Sequence, residues 1–200
     1  MVIAATGVLL NHTETLALDE RFVSSDRLHR WYGLPEPEIR VSRAAESGLV
    51  AQVEDRLYAA DRSYPSDGTL LGAVSLPDAT LLIATDERLL LLQSSGDLID
   101  ELPLPSLQSA KPAAAFFDAS DTIYIVAADR TFSTSTEFTG WKEETTLPTG
   151  LRQLTTRAAE PGEAREIRPR YYARALSVER VLLDLHSGRL FGAFGVLLFD

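Results

Sequence analysis

Two histidines, His12 and His186, are the side chains of this 200-residue sequence best placed to do chemistry. His12 stands two residues beyond the apolar run Val2 to Leu10, and His186 stands four before the apolar run Leu190 to Phe199. If both runs meet one surface side by side, the two imidazoles lie at the same depth beside it. Neutral imidazoles so placed can ligate a haem iron or a metal, or they can brace their turns by hydrogen bonds to backbone. The third histidine, in Leu28-His29-Arg30-Trp31, reads as a surface residue. Asp184, His186 and Ser187 have the residue types of a hydrolase triad, but neighbours along a strand point to opposite faces and do not converge. The sequence has no glycine-rich phosphate loop, no G-x-S-x-G elbow and no helical histidine pair with a general base, so no catalytic residue is assigned. Without cysteine it also lacks disulfides, thiolate metal sites and cysteine nucleophiles.

The segments that must position the two histidines are the apolar ends. A helix needs about 20 apolar residues to span a bilayer, and neither end has that many. Val2 to Leu10 is not a signal peptide, because it lacks a basic n-region and its apolar run stops at Asn11. Each end reads either as half of a membrane helix or as a terminal element packed in a core. The formal charge of −10 excludes nucleic acid as a partner, since phosphate binding needs a basic face. That charge is uneven. Residues 1–150 carry 11 basic and 23 acidic side chains, and residues 151–200 carry 8 and 6. The arginines of the second part, Arg165, Arg168, Arg170 and Arg174 among them, read as a solvated helix face.

Between the ends, three regions follow from texture. Residues 1–40 form the end of the first apolar helix and a polar segment, broken by Trp31-Tyr32-Gly33-Leu34-Pro35. Residues 41–150 form a β-rich body. In it, apolar runs are interrupted by charge at Glu54-Asp55-Arg56, Asp86-Glu87-Arg88 and Ala128-Asp129-Arg130. A chain must turn where charge separates two strand-length apolar runs, so each interruption predicts a hairpin apex, near Asp55, Glu87 and Asp129. Thr80-Leu81-Leu82-Ile83 and Thr122-Ile123-Tyr124-Ile125 repeat at an offset of 42, the spacing of a propeller blade. Three irregular units are too few to close a usual propeller, so an open antiparallel meander with propeller-like local repeats is expected. Thr131 to Thr136, alternating hydroxyls with Phe132, reads as an edge strand with one wet face. Residues 151–200 hold a helix within Glu163 to Ala175, a buried strand at Val178 to Leu185 and a tight turn at His186-Ser187-Gly188. The fold class is mainly β with minor α (α+β), with helical membrane stubs at both ends.

Two stretches resemble a known family. Thr6-Gly7-Val8-Leu9-Leu10-Asn11-His12-Thr13-Glu14 and Val181-Leu182-Leu183-Asp184-Leu185-His186-Ser187-Gly188-Arg189-Leu190-Phe191-Gly192 are similar to the two membrane-proximal signatures of PepSY-associated transmembrane proteins. In that family the first signature closes a membrane helix, and the second, L-H-x-G-x-x-F-G, opens another. The resemblance covers about thirty residues and implies a bacterial inner-membrane protein, attached to the membrane through flanking helices, with this domain facing the periplasm. It implies an accessory or binding role with an envelope protein partner, linked to iron or haem handling. A second implication is a redox subunit of the ferric-siderophore-reductase type, with haem b held by His12 and His186 in the full-length protein. A third is a modulator of a periplasmic peptidase. The chain is smaller and poorer in histidine than the reductases.

Overall fold

A computed structural model describes residues 2–23, 25–44, 48–105, 111–173 and 176–189. The chain forms two compact units, one from residues 1–37 with 162–200 and the other from residues 38–161.

The first unit is helical. Helices α1 (Val2–Leu10), α2 (Thr13–Leu16) and α3 (Asp26–Trp31) precede the β unit, and α4 (Pro161–Tyr172) and α5 (Val178–His186) follow it. Helix α4 begins on Pro161, whose missing N–H costs nothing in a first turn, and runs through Pro169. Helix α5 corrects the expected strand at Val178 to Leu185. Val178, Val181, Leu182 and Leu185 recur at helical spacing, and the Ser177 side chain caps the start by accepting from the Arg180 N–H. Arg180 and Asp184 then pair across one turn at 2.9 Å. Capping and periodicity outweigh the β propensity of two valines. The predicted stub at Leu190 to Phe199 lies outside the described residues. No described helix is long and apolar enough to cross a membrane, which says nothing of a β-barrel.

The second unit is mainly β, built from three antiparallel sheets. The first is a meander of β1 (Ile39–Ala44), β2 (Gly48–Val53), β3 (Arg56–Ala59) and β4 (Arg62–Pro65). The second is β5 (Leu70–Ser75), β6 (Leu81–Thr85), β7 (Arg88–Leu92) and β8 (Leu98–Pro103). The third is β9 (Ala114–Phe117), β10 (Thr122–Ala127), β11 (Arg130–Ser135) and β12 (Lys142–Glu144). The predicted apices at Asp55, Glu87 and Asp129 are the β2–β3, β6–β7 and β10–β11 turns. The repeat at offset 42 puts β6 and β10 in matching places, each the second strand in chain order of its four-strand meander. Strand β11 is not an edge, however. β12 pairs along it, and Thr131, Ser133 and Thr134 are buried.

Strand β6 of the second sheet is buried on both faces, whereas β8 at its edge is exposed. Leu81 and Ile83 join a core with Val50 and Leu57 of the first sheet, whereas Leu82 and Ala84 join a core with Ile123 and Ile125 of the third. Alternation along β6 therefore serves two cores, which is why its sequence is an unbroken apolar run. Burying each such leucine or isoleucine contributes about 1.5–3 kcal/mol.

The chain then ties the outer sheets together. Strand β13 (Arg152–Leu154) pairs with β9 of the third sheet, and β14 (Arg157–Ala158) pairs with β1 of the first. Gly72 of β5 makes room for this strap. A Cβ built there would lie 2.6 Å from the Leu154 Cβ and 2.9 Å from backbone atoms of Leu154 and Thr155, at φ +155.

Candidate functional site

In the helical unit, α1 and α5 pack against one another. The Thr6 hydroxyl, buried to 4% exposure, hydrogen-bonds His186 Nδ1 at 3.0 Å. Gly7 lies alongside, where a Cβ would meet His186 Cε1 at 3.3 Å. Residues 180 apart in sequence, one from each quoted signature, thus touch through an imidazole brace. His12 is the residue before α2, exposed, and its side chain makes no capping hydrogen bond. It stands six residues past Thr6, about 9 Å further along if measured at helical rise. The structure therefore brings His186 onto α1 and leaves His12 in water on the next segment.

A haem between these histidines needs an open slot beside each imidazole. The His186 ring already has Thr6 at Nδ1 and Gly7 against Cε1, and the described residues contain no group of three or more histidine, cysteine or acidic side chains suited to a metal. The Nδ1 contact leaves Nε2 of His186 as the ring nitrogen that would take a haem iron, with His12 exposed on the following segment.

Around this brace the same unit holds two buried polar groups. Asp184, 6% exposed, accepts at Oδ2 from the Tyr32 hydroxyl at 3.0 Å and from Arg180 Nε at 2.9 Å. Burial, reinforced by the Asp184 carboxylate, pushes the Tyr32 phenol up to about 12. Ser187 Oγ donates to the Leu183 carbonyl, so Asp184, His186 and Ser187 each have a different partner and form no triad. His29 is not a surface residue. It is 1% exposed and stacks on Tyr172 with ring centroids 3.9 Å apart, because α3 turns this face onto α4. Neither of its ring nitrogens has a hydrogen-bond partner among the described residues.

The β unit carries a second candidate. Where the strap crosses between sheets, a cavity of about 410 Å³ opens beside β1 and β5, lined by Ser42, Arg43, Ala73, Arg152, Thr155 and Arg157 among others. The Ser42 hydroxyl accepts from the Ala73 N–H at 2.8 Å, joining β1 to β5 at its floor. Sequence reading missed this site. Its arginines come from β1 and the strap, and only strand pairing brings them together, so no motif spacing betrays them.

No family model matches the chain, and no curated protein matches it. Solved structures are similar to part of it. A protein of unknown function from Bacteroides caccae aligns at 11% identity and TM-score 0.36, over 57% of this chain and 45% of that one. YCF48 bound to D1 peptide aligns at 15% identity and TM-score 0.34, over 52% and 38%. The WD40 domain of SCAP from fission yeast aligns at 11% identity and TM-score 0.34, over 62% and 34%. The chain spans less than half the length of each.

Proposed function

We propose that this chain is the water-facing domain of a bacterial inner-membrane protein of the PepSY-associated kind. In this reading α1 and α5 are the feet of two membrane helices, and the β unit is the part that binds a ligand or partner in the periplasm. The observation that carries the reading is the contact between Thr6 and His186, one from each membrane-proximal signature. Two helices entering one bilayer face as neighbours pack about 8–10 Å apart, and an imidazole bonded to the facing helix fits that spacing. The surface of α1 gives separate support. Val8 is 61% exposed and Leu9 38%, and Leu183 of α5 is 46% exposed, which in a water-soluble helix pair is unpaid apolar area. Nine residues rise about 14 Å, roughly half of a bilayer's hydrocarbon core, so α1 serves as the foot of a longer span. The role is that of an accessory or binding protein of the envelope, and the link to iron or haem handling rests on the resemblance alone.

Alkaline carbonate extraction of membranes from cells making the native full-length protein tests the reading. The protein is expected to stay in the membrane pellet with integral markers. Release into the supernatant would contradict it.

A further inference from the structure

The unit formed by residues 38–161 carries 10 basic and 19 acidic side chains, so an anion approaching it meets a mainly repulsive surface. The cavity under the strap is the exception. Three of the ten basic residues, Arg43, Arg152 and Arg157, line it, and no aspartate or glutamate does. Elsewhere in the unit the basic side chains are largely taken up by carboxylates: Arg62 by Asp97, Arg88 by Glu101, Arg130 by Glu143 and Lys142 by Glu144. Arg157 leans on Glu160 at 3.8 Å and on the Ala158 carbonyl at 3.1 Å. Arg152 differs from all of these: its backbone pairs in β13, but its guanidinium has no hydrogen bond or ion pair among the described residues.

We infer that this cavity is a binding site for a small organic monocarboxylate. A volume of about 410 Å³ is that of small-ligand sites, which combine mainly apolar walls with a few placed polar groups. Arg152 supplies the fork of donors that matches a carboxylate, with Arg43 and Arg157 adding positive potential beside it. The Thr155 and Thr156 hydroxyls are further donors on the strap, and Val41, Ala73 and Leu154 offer a short apolar wall for the rest of the ligand. Polyanions are disfavoured because their outlying charges would face the acidic surface, whereas a single carboxylate pairs with the exposed arginines at the rim while a short apolar tail meets the buried Val41, Ala73 and Leu154. The inference concerns the β unit only and does not depend on the membrane reading.

Titration of the whole chain with sodium butyrate, followed by calorimetry, tests the assignment, with butyramide and inorganic phosphate as comparison ligands. Saturable butyrate binding is expected, with neither comparison ligand matching it. Arg152→Gln should weaken binding at least about tenfold, since a bidentate guanidinium contact is lost. Arg62→Gln, at an exposed ion pair elsewhere in the unit, should leave it unchanged. Arg43→Gln provides a second cavity variant and should also weaken binding, with each variant's urea unfolding midpoint confirming that it is folded. Absence of saturable binding would overturn the inference. So would equal binding of butyramide or phosphate, or undiminished binding by both cavity variants.

Discussion

At the residue scale, the account rests on polar side chains that hold helices together rather than on groups poised for catalysis. His186 uses Nδ1 on Thr6, and Asp184 uses one oxygen on both Tyr32 and Arg180. A buried hydrogen bond of the first kind contributes about 0.5–1.5 kcal/mol net. Thr6→Val, which keeps the shape and deletes the hydroxyl, should lower stability in urea by about that amount, and Thr6→Ser should restore most of it. An unchanged midpoint for Thr6→Val would mean that the contact is incidental. Tyr32 makes a separate pH prediction. Its pKa rises from 10.0 to about 12 on folding, so the folded state favours the neutral phenol. That contribution is complete below pH 10 and is lost as pH climbs through the window up to about 12. Stability of the native chain should therefore fall more steeply than that of Tyr32→Phe across this window, and parallel curves would count against the Tyr32–Asp184 bond. His29 shows why burial was not legible from its neighbours. Leu28, Arg30 and Trp31 suggest a surface, yet Trp31 is 66% exposed while the histidine between them is buried against Tyr172. Which face of a six-residue helix turns inward depends on a partner more than a hundred residues away.

At the scale of elements, strands were easier to read than helices. Charged interruptions between apolar runs marked the three hairpin apices, because a turn is local and needs no distant partner. The strand expected at Val178 to Leu185 became α5 because the Ser177 cap and the Arg180–Asp184 pair reward a helix, and two valines suggested otherwise. Thr131 to Thr136 looked like an edge because hydroxyls alternate there, but Ser133 Oγ donates to Glu144 of β12, so the polar face meets a neighbouring strand. The strap was the hardest element to foresee. Gln153, Thr155 and Thr156 have no apolar rhythm, and the strap's two short strands exist only because β9 and β1 offer them edges. Gly72 is the sequence's one concession to it. Gly72→Ala would drive a methyl into Leu154 at 2.6 Å, in a backbone conformation that L residues rarely adopt. Overpacking of this kind costs about 1–3 kcal/mol. Chemical denaturation should show a loss at least that large, and a variant as stable as the native chain would mean that the strap is not packed against β5.

At the scale of the whole molecule, the sequence announced a β body between two apolar ends, and that body is three antiparallel sheets whose middle member serves two cores. The candidate cavity was not legible, because it is assembled from β1, β5 and the strap, and its chemistry appears only after they meet. The resemblance at the two ends proposes where such a body works, and the Thr6–His186 contact gives that proposal a physical basis. These 200 residues contain no cysteine, so a thiol introduced among them reports its own surroundings once labelling of the unsubstituted protein is subtracted. Thr149 lies in an exposed loop after β12 and makes no side-chain hydrogen bond among the described residues, which makes Thr149→Cys a neutral place for a probe. The most direct test is to treat intact bacteria carrying this variant of the native full-length protein with a membrane-impermeant maleimide small enough to pass the outer membrane. Labelling before lysis, at the level of a known periplasmic thiol, is the expected result. Labelling that appears only once the inner membrane is broken would contradict the account.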